Sequence, residues 1–268
     1  MTERNTAISR IVGWLTPSSS HDNAWFPGRV IGGTALVVGP VVWFVGLLLR
    51  YLSLHSGEFT SEQLEAFDRQ PFAAPSQLAA YAENPTLVTA AYTAFALGTI
   101  LMCPAVATFA RVIAVRSPGL AFWGGTCLIL GLFARLYFAG VDQTAFELVE
   151  ERGTAEATHI MMDMYVDVSY GLWRVPVVAS VGQGVGTLLL ALGAYRVGVF
   201  GPVRGLLFLL PGMGMGVLKE STLFHTASTG LVCFFLVPIG VRVLRDRLPE
   251  LRSPTVVSPS WDHASPRG

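Results

Sequence analysis

Six stretches of this sequence are long, apolar and nearly free of charge: Val30 to Leu49, Thr86 to Ala110, Leu120 to Val141 broken only by Arg135, Val175 to Tyr195, Gly205 to Leu218 and Ser221 to Val241. Such runs leave a chain few options. A hydrocarbon core of about 30 Å takes about 20 helical residues to cross, and without water there the backbone must bond to itself inside helices. Five runs reach that length; the fifth in order, at 14 residues, is short. The expectation is an all-α polytopic membrane protein. Six transmembrane helices are placed at about 30–50, 85–112, 119–141, 174–196, 203–219 and 221–243, and a helical hairpin extends from the outer side. Only 13% of the 268 residues are charged and the net charge is zero, so the partner is the lipid bilayer and not nucleic acid.

Lys and Arg in short connections set orientation because they resist translocation. With six spans, Arg4, Arg10, Arg29, Arg111, Arg116, Arg196, Arg204, Arg242, Arg245, Arg247, Arg252 and Arg267 fall on one side, against Arg50, Arg69, Arg152, Arg174 and Lys219 on the other. Both termini are therefore expected in the cytoplasm. Arginine outnumbers lysine 17 to 1. That bias fits codons rich in G and C, and with them a bacterial plasma membrane. Residues 1–29 read as a cytoplasmic tail in which Ile8, Ile11, Val12 and Leu15 share one face of a short interfacial helix. The Pro- and Ser-rich segment 246–268 reads as a disordered cytoplasmic tail.

The two large outer loops carry helix signals of their own. Thr60 and Gln63 form a capping-box pattern ahead of Leu64 and Phe67, and Asn84 before Pro85 caps the second span. The third span continues through "DQTAFELVEE" to Gly153, a residue suited to ending a helix. Thr154 starts the next helix, which leads into the fourth span. These two extensions make the expected hairpin.

Arg135 is the residue most out of place, since a charge inside a span must find a partner, water or an interface. Asp142 lies seven residues on, on the same helical face and about 10 Å farther out. His159, Asp163, Asp167, Tyr170 and Arg174 follow at intervals of four, four, three and four, which lines one face of a helix. Together with Arg135 and Asp142 they suggest a polar vestibule at the outer end of spans three and four. A solvated helix face gives the same spacing, so it specifies no metal site, and no cofactor is expected.

The remaining signals concern packing. Gly182 and Gly186 in the fourth span, and Gly212 and Gly216 in the fifth, have the small-xxx-small spacing that lets helix backbones approach, with Ser180, Gln183 and Thr187 placed to bond across the contact. Pro104 and Pro238 each remove a helical hydrogen bond. Met213 and Met215, with His225 at similar depth, would suit Cu(I) only if the helix broke at Pro211, because helical neighbours two apart face different ways. A continuous short helix is the favoured reading.

The segment "AAYTAFALGTILMCPAVATFARVIAVRSPGLAFWGGTCLILGLFARLYFAG", residues 91–140, resembles six-span bacterial membrane proteins classed only as a domain of unknown function. Those also place an outer loop after span one and an arginine in span three. The resemblance implies a six-span architecture and no activity. Three functions fit the sequence. The first is binding, transport or sensing of a small solute through the vestibule. The second is an accessory subunit whose small-residue helix face docks on a membrane-protein partner or a second copy. The third is a membrane-embedded metal-dependent enzyme using His159 and Asp163.

Overall fold

The described part of every charge-free run falls in a helix in the computed structural model, which describes residues 26–55, 59–70, 72–167, 174–217 and 223–247, with backbone alone for 165–167 and 211–217. Among these residues all regular structure is helical: α1 (Arg29–His55), α2 (Ser61–Arg69), α3 (Ala74–Glu83), α4 (Pro85–Ala114), α5 (Pro118–Arg152), α6 (Thr154–Asp167), α7 (Arg174–Val197), α8 (Pro202–Val217) and α9 (Leu223–Leu244). Five of them, α1, α4, α5, α7 and α9, are long and apolar enough to cross a membrane. The sixth run forms α8, whose 16 residues reach only about 24 Å. Its backbone is helical through Val217, which removes the break that the copper reading of Met213 and Met215 required. The interfacial helix expected near residues 8–15, Tyr170, Lys219 and the segment from 248 onward lie outside the described residues.

Six helices close a ring in which α1 packs on α4, α4 on α5, α5 on α7, α7 on α8, α8 on α9 and α9 back on α1. The sequence permits this closure because its small residues sit at the crossings. A Cβ on Gly98 of α4 would lie 2.4 Å from the Trp43 backbone of α1, and one on Gly186 of α7 would lie 2.4 Å from the Leu128 nitrogen of α5. Gly182 meets the Cys127 carbonyl of α5 in the same way, so both expected packing glycines of the fourth span face α5. The contacts of Gly212 and Gly216 lie outside the described side chains. Cys103, Cys127 and Cys233 are free thiols, half-buried in the helices.

At the end of the ring reached by α1 residue 55, a second apolar cluster covers the helix ends. Leu54, Leu78, Tyr81, Tyr92, Phe146, Val149 and Met161 are its larger members. The capping signals place its parts. Thr60 Oγ1 accepts from the Gln63 N–H at 3.3 Å while Gln63 Oε1 accepts from the Thr60 N–H at 2.8 Å, which starts α2. Asn84 Oδ1 accepts from the Leu87 N–H at 3.0 Å and separates α3 from α4. α5 runs on past its apolar part to Arg152 and stops at Gly153, where φ is +85° and favours glycine. α6 then turns back to pack on α3 and α5.

Phe146 holds this cluster together. Its ring stacks on Tyr81 at 4.5 Å and meets Tyr92 edge-on at 4.9 Å. The Tyr81 hydroxyl donates to the Glu150 carboxylate, joining α3 to α5. That bond holds the Tyr81 hydroxyl above its ordinary pKa of 10.0, with burial adding to the shift. The bond is therefore intact below pH 10 and its contribution is lost as pH rises through the elevated value of the folded state. Tyr81→Phe is expected to lower stability by about 1–2 kcal/mol at neutral pH, read as a lower thermal midpoint in detergent. A midpoint equal to that of the unaltered chain would remove the bond from the account.

Candidate functional site

Polar side chains gather between the apolar ring and the second cluster. Arg50 lies within α1, where it is 7% exposed, and is not the loop residue that the charge count makes it. Its Nη2 donates to the Tyr92 hydroxyl of α4 at 3.1 Å, and that hydroxyl donates to Asp142 Oδ2 of α5 at 3.0 Å. The guanidinium also sits over the Tyr92 ring at 4.4 Å and the Phe95 ring at 5.1 Å. Buried charge is costly unless paired, and this arrangement gives the cation aromatic faces, a hydroxyl and a carboxylate one bond away.

Arg135 of α5 lies within electrostatic reach of both Arg50 and Asp142, and its Nε donates to Gln183 Oε1 of α7 at 3.0 Å. His225, 1% exposed on α9, lies in the field of the same two arginines. Five helices thus bring two guanidiniums, one carboxylate, an imidazole, a phenol and a carboxamide within electrostatic or hydrogen-bond reach of one another. Among these residues positive charge exceeds negative by one.

A cavity of about 30 Å³ lies next to this centre, inside the ring. Each of the six helices contributes to its wall, through Trp43, Phe109, Leu132, Gln183, Phe208 and Leu236 in chain order. Gln183 belongs to both places. A guanidinium only donates, so the Gln183 oxygen must face Arg135 and its NH₂ group points away from that bond. That NH₂ and the Trp43 indole N–H are buried with no acceptor among the described residues. Leaving a donor in that condition costs about 1–3 kcal/mol, and about 10–15 Å³ is enough to hold a water, so the cavity has room for an acceptor that relieves both. On the opposite side of Arg50, Ser53, Gln77 and Tyr92 border a gap of about 10 Å³.

Four phenylalanines close the far side of the cavity. Phe200, in the turn between α7 and α8, packs against Phe109, Phe208 and Phe235 at 5.4–5.6 Å between ring centres.

The residues expected to line a vestibule divide between two environments. Arg135 and Asp142 join the buried centre. His159 and Asp163 do not: they lie on the water-facing side of α6, 77% and 73% exposed, and pair with each other at 3.3 Å. Arg174 is exposed at the start of α7, and the side chains of Asp167 and Tyr170 lie outside those described. Among the described residues no group of three His, Cys, Asp or Glu side chains converges as a metal site would need. Arg50 and Tyr92 escaped sequence reasoning as site residues, and His225 entered it only beside Met213 and Met215. The usable signal was positional for three of the four, since Tyr92, Arg135 and His225 each lie four to six residues inside the same ends of their runs, whereas Arg50 falls just past its own.

Neither models of protein families, nor curated proteins, nor solved structures contain a match to this chain.

Proposed function

We propose that this chain is a six-span plasma-membrane protein that binds a small, acceptor-bearing solute at the Arg50–Tyr92–Asp142 and Arg135–Gln183 centre, in order to sense it or carry it inward. The observation that carries this reading is the pair of buried donors on Trp43 and Gln183 that find no acceptor among the described residues, beside a centre with an excess positive charge. Donors of that kind favour carbonyl or carboxylate oxygens, and the extra guanidinium favours an acidic solute over a basic one. Further support for six spans comes from α8, which completes the ring around the cavity although it is short. A short helix can be accommodated by local thinning of the bilayer. The arginine count puts both termini in the cytoplasm and the α2–α3–α6 cluster outside, in a bacterial cell.

Binding or sensing fits the observed state better than open passage, because the Phe109, Phe200, Phe208 and Phe235 cluster blocks the inner end. Transport would need those rings to part. The accessory-subunit reading loses the face it relied on in span four, since Gly182 and Gly186 are taken up by α5.

The test is recovery of bound small molecules. The full chain, purified in mild detergent, is extracted and the extract compared by mass spectrometry with that from Gln183→Leu, which keeps the side-chain volume and removes both amide functions. An acidic compound held by the unaltered chain and at least ten-fold depleted in Gln183→Leu is the expected result. Identical extracts from two equally folded proteins would sink the reading.

A further inference from the structure

The other end of the ring has a different character. From residue 85 to 141 and from 168 to 219 the sequence holds no Asp or Glu, yet the connections at this end contribute Arg111, Arg116, Arg196 and Arg204. Arg29 of α1 is already paired with Asp246, at 3.3 Å. Arg116, from the turn between α4 and α5, and Arg196, near the end of α7, are both exposed and border one open pocket of about 450 Å³. Neither is close to a carboxylate among the described residues.

The pocket wall below the two guanidiniums is apolar. It is made by Trp123, 60% exposed on α5, and by Leu189 on α7. Trp123 stands beside Phe122, itself 64% exposed, with the two rings 5.2 Å apart. Two cations above exposed aromatic and aliphatic surface, at the end of membrane helices, match one kind of molecule: charge at the top and hydrocarbon beneath. Tryptophan favours the depth of lipid headgroups, and arginine forks match phosphate oxygens.

We propose that the Arg116–Arg196 pocket between α5 and α7 is a binding site for an anionic phospholipid, its phosphate held by the two guanidiniums and an acyl chain lying against Trp123 and Leu189. The site's volume exceeds what a phosphate alone requires, which leaves room for a headgroup substituent. Selectivity comes from charge. A zwitterionic lipid brings its own cation toward the arginines, whereas a phosphatidylglycerol-type headgroup does not. Each guanidinium at a membrane surface contributes about a five-fold preference for anionic lipid. The two hold one phosphate, so their contributions are coupled, and the expected preference of the site is at least the five-fold of a single guanidinium. This site stands apart from the solute centre and needs only that the helices lie in a bilayer.

Native mass spectrometry of the full chain, released from nanodiscs of mixed phosphatidylglycerol and phosphatidylcholine, reads the occupancy directly. The unaltered chain is expected to retain one phosphatidylglycerol in strong preference to phosphatidylcholine, and inorganic phosphate in large excess does not displace it. Arg116→Gln/Arg196→Gln abolishes the preference, while Arg116→Lys/Arg196→Lys keeps most of it, since charge remains without the fork. Helix content by circular dichroism stays the same in all three, because both arginines are exposed. Equal retention of the two lipids by the unaltered chain would overturn the proposal. So would undiminished preference in the glutamine pair, or displacement by inorganic phosphate, which would make the site one for a free anion.

Discussion

Asp142→Asn lowers the stability of the folded chain by about 3 kcal/mol, the expected loss when one partner of a buried charge cluster is neutralised and the other remains. Asparagine keeps the shape of aspartate, so packing is almost unchanged and the effect is electrostatic. Two guanidiniums, on Arg50 and Arg135, then remain in each other's field with the only carboxylate of the described centre gone. Tyr92 still fills its place against Phe146, but its hydroxyl loses a charged acceptor. Thermal unfolding in detergent, followed by circular dichroism at constant pH, measures the change. A companion variant, Arg50→Met/Asp142→Asn, removes one cation with the anion and is expected to recover part of the lost stability. Should Asp142→Asn melt with the unaltered chain, the ionised carboxylate is not what holds the centre.

A comparable loss, about 3 kcal/mol, is expected from a single methyl group at Gly98. The added Cβ would sit 2.4 Å from the Trp43 nitrogen and Cα, which are backbone atoms of a long helix and cannot swing aside. The α1–α4 crossing must widen, and Trp43, which lines the central cavity, moves with it. Gly98→Ala is therefore expected to reduce both the thermal midpoint and the monodisperse fraction on gel filtration. Gly140→Ala is the control, because nothing lies within 4 Å of its added Cβ and alanine favours helix. If the two variants behave alike, close approach at Gly98 is not a constraint.

Much of the architecture could be read from the sequence, and the reason is local. Charge-free runs mark helices because the bilayer tolerates little else, and Thr60, Asn84 and Gly153 mark ends because their side chains or φ angles act within one turn. The site was less legible. Arg50 follows an apolar run and looks like a residue at a membrane boundary, although its hydrogen bond reaches 42 positions along the chain to Tyr92. His159 and Asp163 do share a helical face, but spacing does not say whether that face meets water or protein. Only the closure of six helices decides which faces turn inward, and that closure depends on contacts between backbones at glycines.

The placement of Phe146 between Tyr81 and Tyr92 joins two bodies that obey different thermodynamics. On the proposed arrangement the α2–α3–α6 cluster is set in water, so its cohesion is hydrophobic, entropic near room temperature and weaker on cooling. On the proposed six-span arrangement the ring below sits in hydrocarbon, where helices attract by close contact and gain nothing from expelling water. Cold then loosens the cap and leaves the bundle tight, so on that arrangement the heat-capacity change of unfolding is expected mainly from the α2–α3–α6 cluster.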